Sequence, residues 1–356
     1  MKNEFSINKL MWKQGTLIAF GELFLKSAGV KDLFQQRLIN NLRKSFKGKI
    51  HSFRERIFIE TKKPMNKIFG IAWYADCYCF SSLKELANYV SLKRGETFAI
   101  RVKRDREKII KAIASKISNK VDLDKPDKEI FVEQRGDKWF LYFKKKKGLG
   151  GLPLGSSGKV LCLISGGIDS VPAAYLVAKR GAECIWLHFH SFPLVSNASI
   201  EKVEELGEVF KKYQPDLKIH NIAFQKAQLE IKAKSPTKYR VILYRRLMLR
   251  IAEKIAKKEG CDALITGESL GQVSSQTLAN IKIIEEAVKI PILRPLIGFD
   301  KEEIIKLAKK IKVYDISIKP QEDCCTLFVP KHQTAQGDLK QVKEIEKKLD
   351  YDFSLI

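Results

Sequence analysis

The sequence contains no long hydrophobic run, and this absence excludes a transmembrane helix. A membrane-spanning helix needs about 20 mostly apolar residues, and no apolar run here approaches that length. The first residues, MKNEFSINKLMWK, also lack the apolar core and small-residue cleavage site of a secretory signal. We therefore expect a cytoplasmic protein that has no membrane association.

A disulfide framework is also missing. The seven cysteines are odd in number and irregularly spaced, and none of them form a C-x-x-C pair. We expect reduced thiols, which are typical of the cytoplasm. The sequence has no internal repeat and no low-complexity tract. Hydrophobic residues make up 45% of the 356 residues, which is typical of a globular chain with two or three domains.

Acidic residues are scarce relative to basic ones. The chain holds 41 Asp and Glu against 66 Lys and Arg, for a net charge of +25. Residues 1–150 contain 34 of the basic residues and 16 of the acidic ones, so most of the surplus lies in the N-terminal part. Such a surplus attracts a polyanion. Its uneven distribution favours a dedicated nucleic-acid-binding region over a generally solvated basic surface.

The N-terminal part is predicted to contain two small α+β domains. TLIAFGE, KDLFQQRLINNLRKSF and KIHSFRERIFIE are typical of a strand, a helix and a second strand, and KKPMNKIFG of a short helix. We predict a ferredoxin-like domain at 1–75 and a second α+β domain at 76–148. A glycine-rich linker follows at 149–158, because this stretch cannot form a regular element.

The remaining residues, 159–356, predict a different architecture. The strand-like segments VLCLIS, ECIWLHFH, KIHNIAF and ALITGE alternate with helical patterns. Strands that alternate with helices indicate a parallel sheet covered on both faces. The predicted fold class is therefore multidomain, α+β followed by a doubly wound α/β domain.

Two glycines join the first of these strands to its helix, in VLCLISGGIDSVPAAYLVAKRG. Free amides and the positive end of the helix favour a bound phosphate at such a junction. Gly166 and Gly167 would let the backbone wrap closely around it, and Ser165 and Ser170 could add hydroxyl donors. The motif is neither a Walker A loop nor a G-x-G-x-x-G loop. It predicts a phosphate-binding loop of another type.

The residues SGGIDS resemble the SGGxDS signature of the PP-loop ATP pyrophosphatases. This resemblance implies that ATP is cleaved between its α and β phosphates, that a carbonyl oxygen is adenylated and that pyrophosphate is released. Asp169 then has two possible roles, a negative charge at a helix N-terminus or a ligand for the magnesium ion (Mg2+) that accompanies ATP.

Longer stretches narrow the resemblance. GLPLGSSGKVLCLISGGIDS, GESLGQVSSQTLANI and SIKPQEDCCTLFVP are similar to the tRNA 4-thiouridine synthetases (tRNA sulfurtransferases), and IAFGELFLKS resembles the start of that family's ferredoxin-like domain. The second domain would then be a THUMP RNA-binding domain. Two features depart from the family: Val171 precedes Pro172 where proline commonly comes first, and many members continue into a rhodanese domain beyond the position of Ile356. We expect the short form of the family.

Carried over residue by residue, the resemblance implies an ATP site with Asp169 as a catalytic residue. The expected nucleotide-binding residues are Leu163, Ile164, Ser165, Gly166, Gly167, Ser170, His188, Phe189, Arg245, Gly267 and Gln276. Without the family, the preferred interpretation of Arg245 is a solvated charge beside an apolar helix stripe, and His188 could be a strand-end histidine that has no role. His188 and His190 share a strand face, but no third ligand accompanies them and we expect no metal there.

The adjacent Cys324 and Cys325 are the predicted sulfur-handling residues. A Cys-Cys pair alone usually means two buried thiols, but the family places its reactive cysteine here. Ungapped counting from the glycine turn reaches Cys324, and Cys325 is the alternative. The other five cysteines lie at strand-like or helix-end positions, so we expect them in the core.

The implied function is an ATP-dependent conversion of a tRNA uridine, U8 in the family, to 4-thiouridine. Its partners would be tRNA and a cysteine desulfurase or another sulfur donor, and a homodimer is also considered. The expected RNA-binding residues are Arg101, Lys103, Arg104, Lys144, Lys145, Lys146 and Lys147. The alternatives are another PP-loop tRNA-modifying enzyme, such as a 2-thiolation enzyme, and an RNA-binding protein with a degenerate ATP site.

Overall fold

The computed structural model describes residues 13–21, 27–103, 105–320, 328 and 334–350. The chain divides into two compact units, Met1–Pro153 and Leu154–Ile356. Among the described helices, none is both long enough and apolar enough to cross a membrane.

The N-terminal unit is built on one mixed sheet. Its elements are β1 (Lys13–Phe20), α1 (Ala28–Ser45), β2 (Ile50–Phe53), β3 (Arg56–Ile59), β4 (Ile71–Phe80), α2 (Leu83–Tyr89), β5 (Phe98–Arg101), α3 (Arg106–Ala114), β6 (Lys128–Arg135), β7 (Lys138–Tyr142) and β8 (Lys146–Lys147). The strand order is β2-β3-β1-β4-β7-β6-β5, and β8 pairs with β4. Because β4 pairs with β1 on one side and β7 on the other, this sheet is continuous across the predicted boundary between residues 75 and 76.

Two local predictions in this unit are wrong. The single strand expected in KIHSFRERIFIE is the hairpin β2–β3, which turns at Glu55 with a φ of 65°. The helix expected in KKPMNKIFG is a series of turns, in which Met65 and Phe69 are nevertheless buried. An apolar pattern indicates which residues are buried, and it does not by itself show where the chain turns.

The sheet curls so that strands far apart in its order come together. Arg56 of β3 donates to Glu133 of β6 through Nε at 3.0 Å and Nη2 at 3.2 Å. Four strand spacings separate β3 from β6, or about 19 Å across a flat sheet, so the direct pair requires strong curvature. Burial opposes ionisation of Glu133, but Arg56 and its other partners hold the pKa of that carboxyl below its ordinary value.

The C-terminal unit is a parallel sheet between two layers of helices. Its elements are β9 (Lys159–Leu163), α4 (Ser170–Lys179), β10 (Glu183–His190), α5 (Ala198–Phe210), β11 (Lys218–Ala223), α6 (Gln225–Lys234), α7 (Arg240–Glu259), β12 (Ala263–Ile265), α8 (Leu278–Glu285), β13 (Ile292–Leu293), α9 (Lys301–Ile311), α10 (Tyr314–Ser317) and α11 (Leu339–Glu346). The strand order is β11-β10-β9-β12-β13, with every pairing parallel. This confirms the predicted doubly wound fold.

Alternate side chains of β10 face opposite layers. Leu187 and Phe189 pack into the core that α7 forms. Trp186, on the other face, contacts Phe210 of α5 with ring centroids 5.0 Å apart. The strand order reverses between β9 and β12, and in such sheets a crevice opens at the carboxyl ends of those two strands.

Candidate active site

The glycine turn lies at this crevice, between the end of β9 and the start of α4. Gly166 has a φ of +77°, in the left-handed region that glycine adopts without strain. The amide of Ser165 donates to the hydroxyl of Ser170 at 3.4 Å, and the amide of Gly167 donates to the hydroxyl of Ser165 at 3.3 Å. Both hydroxyls act here as acceptors for backbone amides of the turn.

The start of α4 adds donors of its own. The first intrahelical bond runs from the amide of Ala173 to the carbonyl of Asp169 at 3.2 Å. The amides before it therefore have no partner within the helix, which is the usual situation at a helix N-terminus. Pro172 has no amide proton and costs nothing at this position. The turn and the helix end together form an anion-binding geometry.

Gly267, just after β12, packs directly against this turn. A Cβ atom at Gly267 would lie 2.9 Å from the carbonyl carbon of Asp169 and equally close to the backbone of Ser170. Cβ atoms essentially never lie that close to other backbone atoms, so glycine is required here for the residue after β12 to meet the start of α4. Close packing of the protein itself therefore explains this glycine.

A cavity of about 390 Å³ opens above these elements, within the range of roughly 300–1,000 Å³ typical of small-molecule sites. Its apolar lining residues include Leu163, Leu187, Phe189, Val241, Met248, Leu249, Ile284 and Ile292. Its polar lining residues are Ser165, Asp169, Ser170, Arg245, Thr266, Glu268, Ser275, Gln276 and Arg294. An occupant with an apolar part and a charged part matches this mixed lining.

One glutamate on the cavity wall holds two arginines. Arg245 of α7 donates through Nη1 to Glu268 Oε1, and Arg294, after β13, donates through Nε to Glu268 Oε2 at 2.8 Å. Thr266 donates its hydroxyl to Glu268 Oε2 at 3.0 Å, and Arg294 Nη1 reaches Glu285 at 2.9 Å. Within the described part of the chain the buried Nε of Arg245 has no hydrogen-bond partner. That N–H is shielded from solvent, and the positive charge of Arg245 still lies on the cavity wall.

Asp169 is held from two other segments. Lys301, the first residue of α9, lies 2.7 Å from Asp169 Oδ1, and Gln272 Nε2 donates to Oδ2 at 3.0 Å. Although Asp169 is the N-cap residue of α4, its side chain makes no capping hydrogen bond. The carboxylate faces the cavity and a lysine. A role as a helix N-terminal charge alone does not account for this arrangement.

The structure brings most of the predicted nucleotide-binding residues to one cavity. Those on its wall are Leu163, Ile164, Ser165, Gly167, Asp169, Ser170, Phe189, Arg245, Gly267 and Gln276. Gly166 supplies the turn without lining the cavity. His188 is 2% exposed and lies on the α5 side of the sheet, where Nδ1 is 2.8 Å from the carbonyl oxygen of Ile164 and Nε2 is 3.2 Å from Ser199 Oγ. Its ring does not reach the cavity.

Several cavity residues were not singled out from the sequence. These are chiefly Thr266, Glu268 and Arg294, with Gln272 and Lys301 bound to Asp169. A signal for some of them was present, because Thr266 and Arg294 directly follow strands of the parallel sheet, Glu268 comes two residues after Thr266, and such positions meet at one edge. Lys301 begins a helix and had no such signal.

The predicted sulfur-handling residues, Cys324 and Cys325, lie outside the described residues. The other five cysteines are buried and free, as expected: Cys77, Cys79, Cys162, Cys184 and Cys261. Burial raises the pKa of Cys79 and of Cys261 to about 11, and raises those of Cys77 and Cys162 well above the usual value. Thiolate is the reactive form, so these four thiols are poor nucleophiles near neutral pH.

The predicted RNA-binding residues belong to the N-terminal unit and differ in their surroundings. Lys103, Lys144 and Lys147 are exposed, whereas Arg104 lies outside the described residues. Arg101 donates to Glu129 at 2.9 Å, and Lys146 lies 2.7 Å from Asp76. These ion pairs reduce the charge that Arg101 and Lys146 present to a polyanion.

Lys145 is held by aromatic rings. Its ammonium lies 4.3 Å from the ring centroid of Phe131, 5.1 Å from Trp73 and 5.9 Å from Tyr142. Partial burial lowers the pKa of Lys145. Such cation–π contacts stabilise the fold modestly. Lys145 therefore contributes to the stability of the N-terminal unit as well as to its surface charge.

The charged groups in the described ranges do not form a ready-made metal centre. No three His, Cys, Asp or Glu side chains there are grouped so that they could hold a metal ion. A magnesium ion that accompanies a nucleotide needs only one or two protein carboxylates, because phosphates and water supply its other ligands. Asp169 fits that more limited requirement.

The fold and the site define a class: an α/β domain that binds an anionic ligand at the carboxyl ends of its parallel strands. Comparison with known proteins narrows this class. Residues 155–351 match the family described as thiamine biosynthesis protein (ThiI), residues 16–75 match the ThiI ferredoxin-like domain, and residues 80–144 match the THUMP domain.

Individual relatives agree with these matches. A probable tRNA sulfurtransferase of Caldanaerobacter subterraneus subsp. tengcongensis is 40% identical over 367 residues, covering 95% of this chain and 96% of the relative. Another, of Thermoanaerobacter sp. strain X514, is 40% identical over 363 residues, covering 94% and 95%. The crystal structure of a 4-thiouridine synthetase–RNA complex with bound ATP superposes with a TM-score of 0.84 at 32% identity, covering 95% of each chain. This chain belongs to the ThiI family of tRNA sulfurtransferases.

Proposed function

We propose that this chain uses ATP to convert a uridine of tRNA to 4-thiouridine. The observation that carries the proposal is the single cavity wall on which the glycine turn, Asp169 and Arg245 meet. Family membership supports the reaction and the tRNA substrate. The related synthetase with bound RNA and ATP supports ATP as the activating substrate.

The mixed lining of the cavity suits the two ends of ATP. We place the adenine against apolar lining residues such as Phe189 and Met248, and the phosphates at the glycine turn. Backbone amides and hydroxyls of the turn would bind the phosphate oxygens, and Arg245 on the cavity wall would supply a positive charge. A fixed positive charge there offsets negative charge that develops as the α–β bond breaks.

The chemistry proceeds in two displacements. The O4 atom of uridine attacks the α-phosphorus, the bond to the bridging oxygen breaks and pyrophosphate leaves, giving an adenylated base. A sulfur nucleophile then attacks C4, and AMP leaves with the original O4. Adenylation is needed because a carbonyl oxygen is otherwise a poor leaving group.

Asp169 and Lys301 are the proposed charge pair at the phosphates. Asp169 would hold a magnesium ion, which supplies positive charge to the phosphate oxygens when bound. Lys301, now 2.7 Å from Asp169, would then turn toward the phosphates. Gln272 would keep the remaining carboxylate oxygen oriented.

Sulfur delivery is assigned to Cys324, with Cys325 as the alternative. One of these thiols would accept sulfur as a persulfide from a cysteine desulfurase or another donor. The proposed location is the cytoplasm, where reduced thiols persist. A homodimer stays a prediction. Sedimentation measurements of the oligomeric state would test it.

The N-terminal unit is the proposed tRNA-binding platform. Lys103, Lys144 and Lys147 are exposed cations that would contact phosphates. An RNA helix is recognised mostly by shape and backbone, because its deep groove cannot be read by side chains. The proposed domains keep their predicted limits, 1–75, 76–148, 149–158 and 159–356.

Nucleoside mass spectrometry tests the proposal directly. tRNA incubated with the protein, ATP and either sulfide or a cysteine desulfurase with cysteine should yield 4-thiouridine and one pyrophosphate for each thiolated base. Formation of 2-thiouridine would favour the other PP-loop class. tRNA binding without pyrophosphate release would favour an RNA-binding protein with a degenerate ATP site.

A further inference from the structure

A carboxylate lies on the wall of the cavity that we propose binds a polyanion. Glu268, three residues after the end of β12, is 6% exposed and lines the cavity. A negative charge at this position repels phosphate oxygens, so its presence needs a reason other than contact with them. The two oxygens of Glu268 have different partners, and this difference indicates the reason.

One oxygen of Glu268 is held by residues at two neighbouring strand ends. Oε2 accepts from Arg294 Nε at 2.8 Å and from the hydroxyl of Thr266 at 3.0 Å. Arg294 Nη1 also donates to Glu285 at 2.9 Å, which fixes the far side of that guanidinium. Thr266 and Arg294 directly follow β12 and β13, which pair in the sheet. The sheet therefore sets the orientation of Glu268.

The other oxygen of Glu268 holds Arg245. Oε1 accepts from Arg245 Nη1, whereas the buried Nε of Arg245 has no hydrogen-bond partner in the described ranges. An arginine side chain has many rotamers, and holding it in one of them costs conformational entropy. The bond to Glu268 is the side-chain hydrogen bond that fixes the direction of this guanidinium among the described residues.

We propose that Glu268 is a positioning residue for Arg245. It takes its own orientation from Arg294 and Thr266, and through Oε1 it keeps the Arg245 guanidinium directed toward the phosphates. Glu268 acts through Arg245 and does not itself contact the nucleotide. The inference rests on the proposed function, in which Arg245 supplies positive charge to ATP.

Charge alone predicts the opposite effect of removing this carboxylate. Glu268→Gln takes a negative charge away from an anion-binding wall, so electrostatics alone predicts tighter ATP binding and no loss of turnover. Positioning predicts a loss. Glutamine has one acceptor oxygen, and its amide nitrogen is a donor that cannot pair with a guanidinium. It therefore cannot hold Arg245 and Arg294 together.

Steady-state kinetics on four chains measures this dependence: wild type, Glu268→Gln, Arg245→Ala and the double variant. Glu268→Gln alone should lower kcat for tRNA-dependent pyrophosphate release about tenfold, while the KM for ATP changes less than about threefold. In the chain that already carries Arg245→Ala, the same substitution should lower kcat less than about twofold, because no guanidinium is left to position. A contribution to the fold alone would give the same loss in both backgrounds.

Glu286→Gln is the matched control. Glu286 pairs with Arg246, the next residue of α7, at 3.0 Å, and it is not among the residues that line the cavity. This variant should keep the kcat of its parent chain in either background. Urea unfolding of every variant measures the stability that each substitution costs, so that loss of folded protein is not counted as loss of kcat.

A second variant keeps the test decisive if Glu268→Gln does not fold. Glu268→Asp retains the charge and both oxygens but is shorter by one methylene, so it should reach Arg245 less well. We expect a loss in kcat of about threefold in the wild-type background and none in the Arg245→Ala background.

Three outcomes would overturn the proposal: an equal fall in kcat in both backgrounds, an unchanged or higher kcat in Glu268→Gln, or an equal loss in Glu286→Gln. A wild-type chain that releases no pyrophosphate with tRNA and ATP would contradict the proposed function, and this inference with it. A wild-type chain that thiolates normally, beside additive effects of the substitutions at 245 and 268, contradicts this inference alone.

Discussion

In both units a glutamate lies between two arginines, and the surroundings decide what each cluster can do. In the N-terminal unit Glu133 accepts from Arg56 and Arg135, and also from the hydroxyl of Tyr142 at 2.7 Å. That cluster links β3 to β6 across the curled sheet. In the C-terminal unit Glu268 holds Arg245 beside a cavity, with Nε of that arginine still free of a partner among the described residues. The first cluster therefore stabilises the sheet, whereas the second places positive charge on the wall of a cavity.

The largest expected effect follows from Asp169. Asp169→Ala should reduce both pyrophosphate release and thiolation roughly a thousandfold, the upper end of the range for loss of one electrostatic group. Its tRNA affinity should stay within about twofold, because the basic surplus lies in the other unit. Asp315→Asn, at an exposed carboxylate of the same unit, is the control and should be fully active. Normal turnover by Asp169→Ala would remove the site assignment.

Two adjacent arginines of α7 are expected to differ in role, with Arg245 acting in turnover and Arg246 in the stability of the fold. Arg245→Ala should lower turnover about a hundredfold and cost about 1 kcal/mol or less in unfolding free energy, since Arg294 still pairs with Glu268. Arg246 is 1% exposed and pairs with Glu346 at 2.8 Å and Glu286 at 3.0 Å.

Arg246→Ala should therefore destabilise the chain by about 1–3 kcal/mol, because it removes a buried side chain and its hydrogen bonds, although Arg250 and Lys343 still pair with the two glutamates. Urea unfolding and steady-state kinetics on both variants distinguish the two roles. If Arg245→Ala lost mainly stability and Arg246→Ala mainly turnover, the assignments would be reversed.

Gly267 offers a steric test of the crevice. Gly267→Ala should lower kcat/KM for ATP about tenfold, because its Cβ would displace the backbone of Asp169 and Ser170. Gly298→Ala is the matched control, since a Cβ there meets nothing within 4 Å. Equal effects of the two substitutions on ATP kinetics would refute the close approach as the reason for glycine.

The lysines of the N-terminal unit should separate RNA binding from folding. Lys144→Ala combined with Lys147→Ala should weaken tRNA binding a few-fold and reduce the salt dependence by about one unit of log–log slope per lost contact. Lys145→Ala should instead lower the unfolding free energy by about 1 kcal/mol through its lost ring contacts. Fluorescence anisotropy across a salt series, with thermal unfolding, measures both. Salt-independent binding by wild type would argue against a basic platform.

The smallest expected effect concerns acid stability. Burial opposes ionisation of Glu346, but hydrogen bonds and charge from Arg246 and Arg250 hold the pKa of that carboxyl below the ordinary value of 4.5. A lowered folded-state pKa contributes stability that is present above pH 4.5 and is lost as the pH falls through the folded value. Unfolding free energy measured from pH 6 downward should therefore fall less steeply in Glu346→Gln than in wild type. Parallel slopes would contradict this.

Much of the fold could be predicted from local pattern. The alternation of apolar strands and helices after the glycine-rich stretch predicted the parallel sheet, and the structure confirms it. The hairpin at Glu55 and the turns around Met65 were missed because burial there does not follow a helical or strand period. The continuous sheet that runs through β4 could not be predicted, because pairing between strands of two small domains joins residues that are far apart in the sequence.

The candidate site was predicted in part, and for a similar reason. Glycine and hydroxyl residues in a strand–helix turn carry their chemistry locally, so SGGIDS predicted a phosphate loop without any tertiary information. His188 illustrates the limit, because strand position alone does not tell which face of a sheet meets the cavity. The predicted nucleotide contacts themselves stay predictions until a ligand is bound.

The sequence by itself determined the basic N-terminal half, the phosphate loop and the order of strands and helices, because composition and short-range periodicity depend on neighbouring residues alone. Only the tertiary structure decided that Lys301 and Gln272 meet Asp169 and that Glu268 holds two arginines. These contacts join residues far apart in the chain. Their existence depends on which strands pair and which helix covers each face, and packing of the whole unit selects that arrangement.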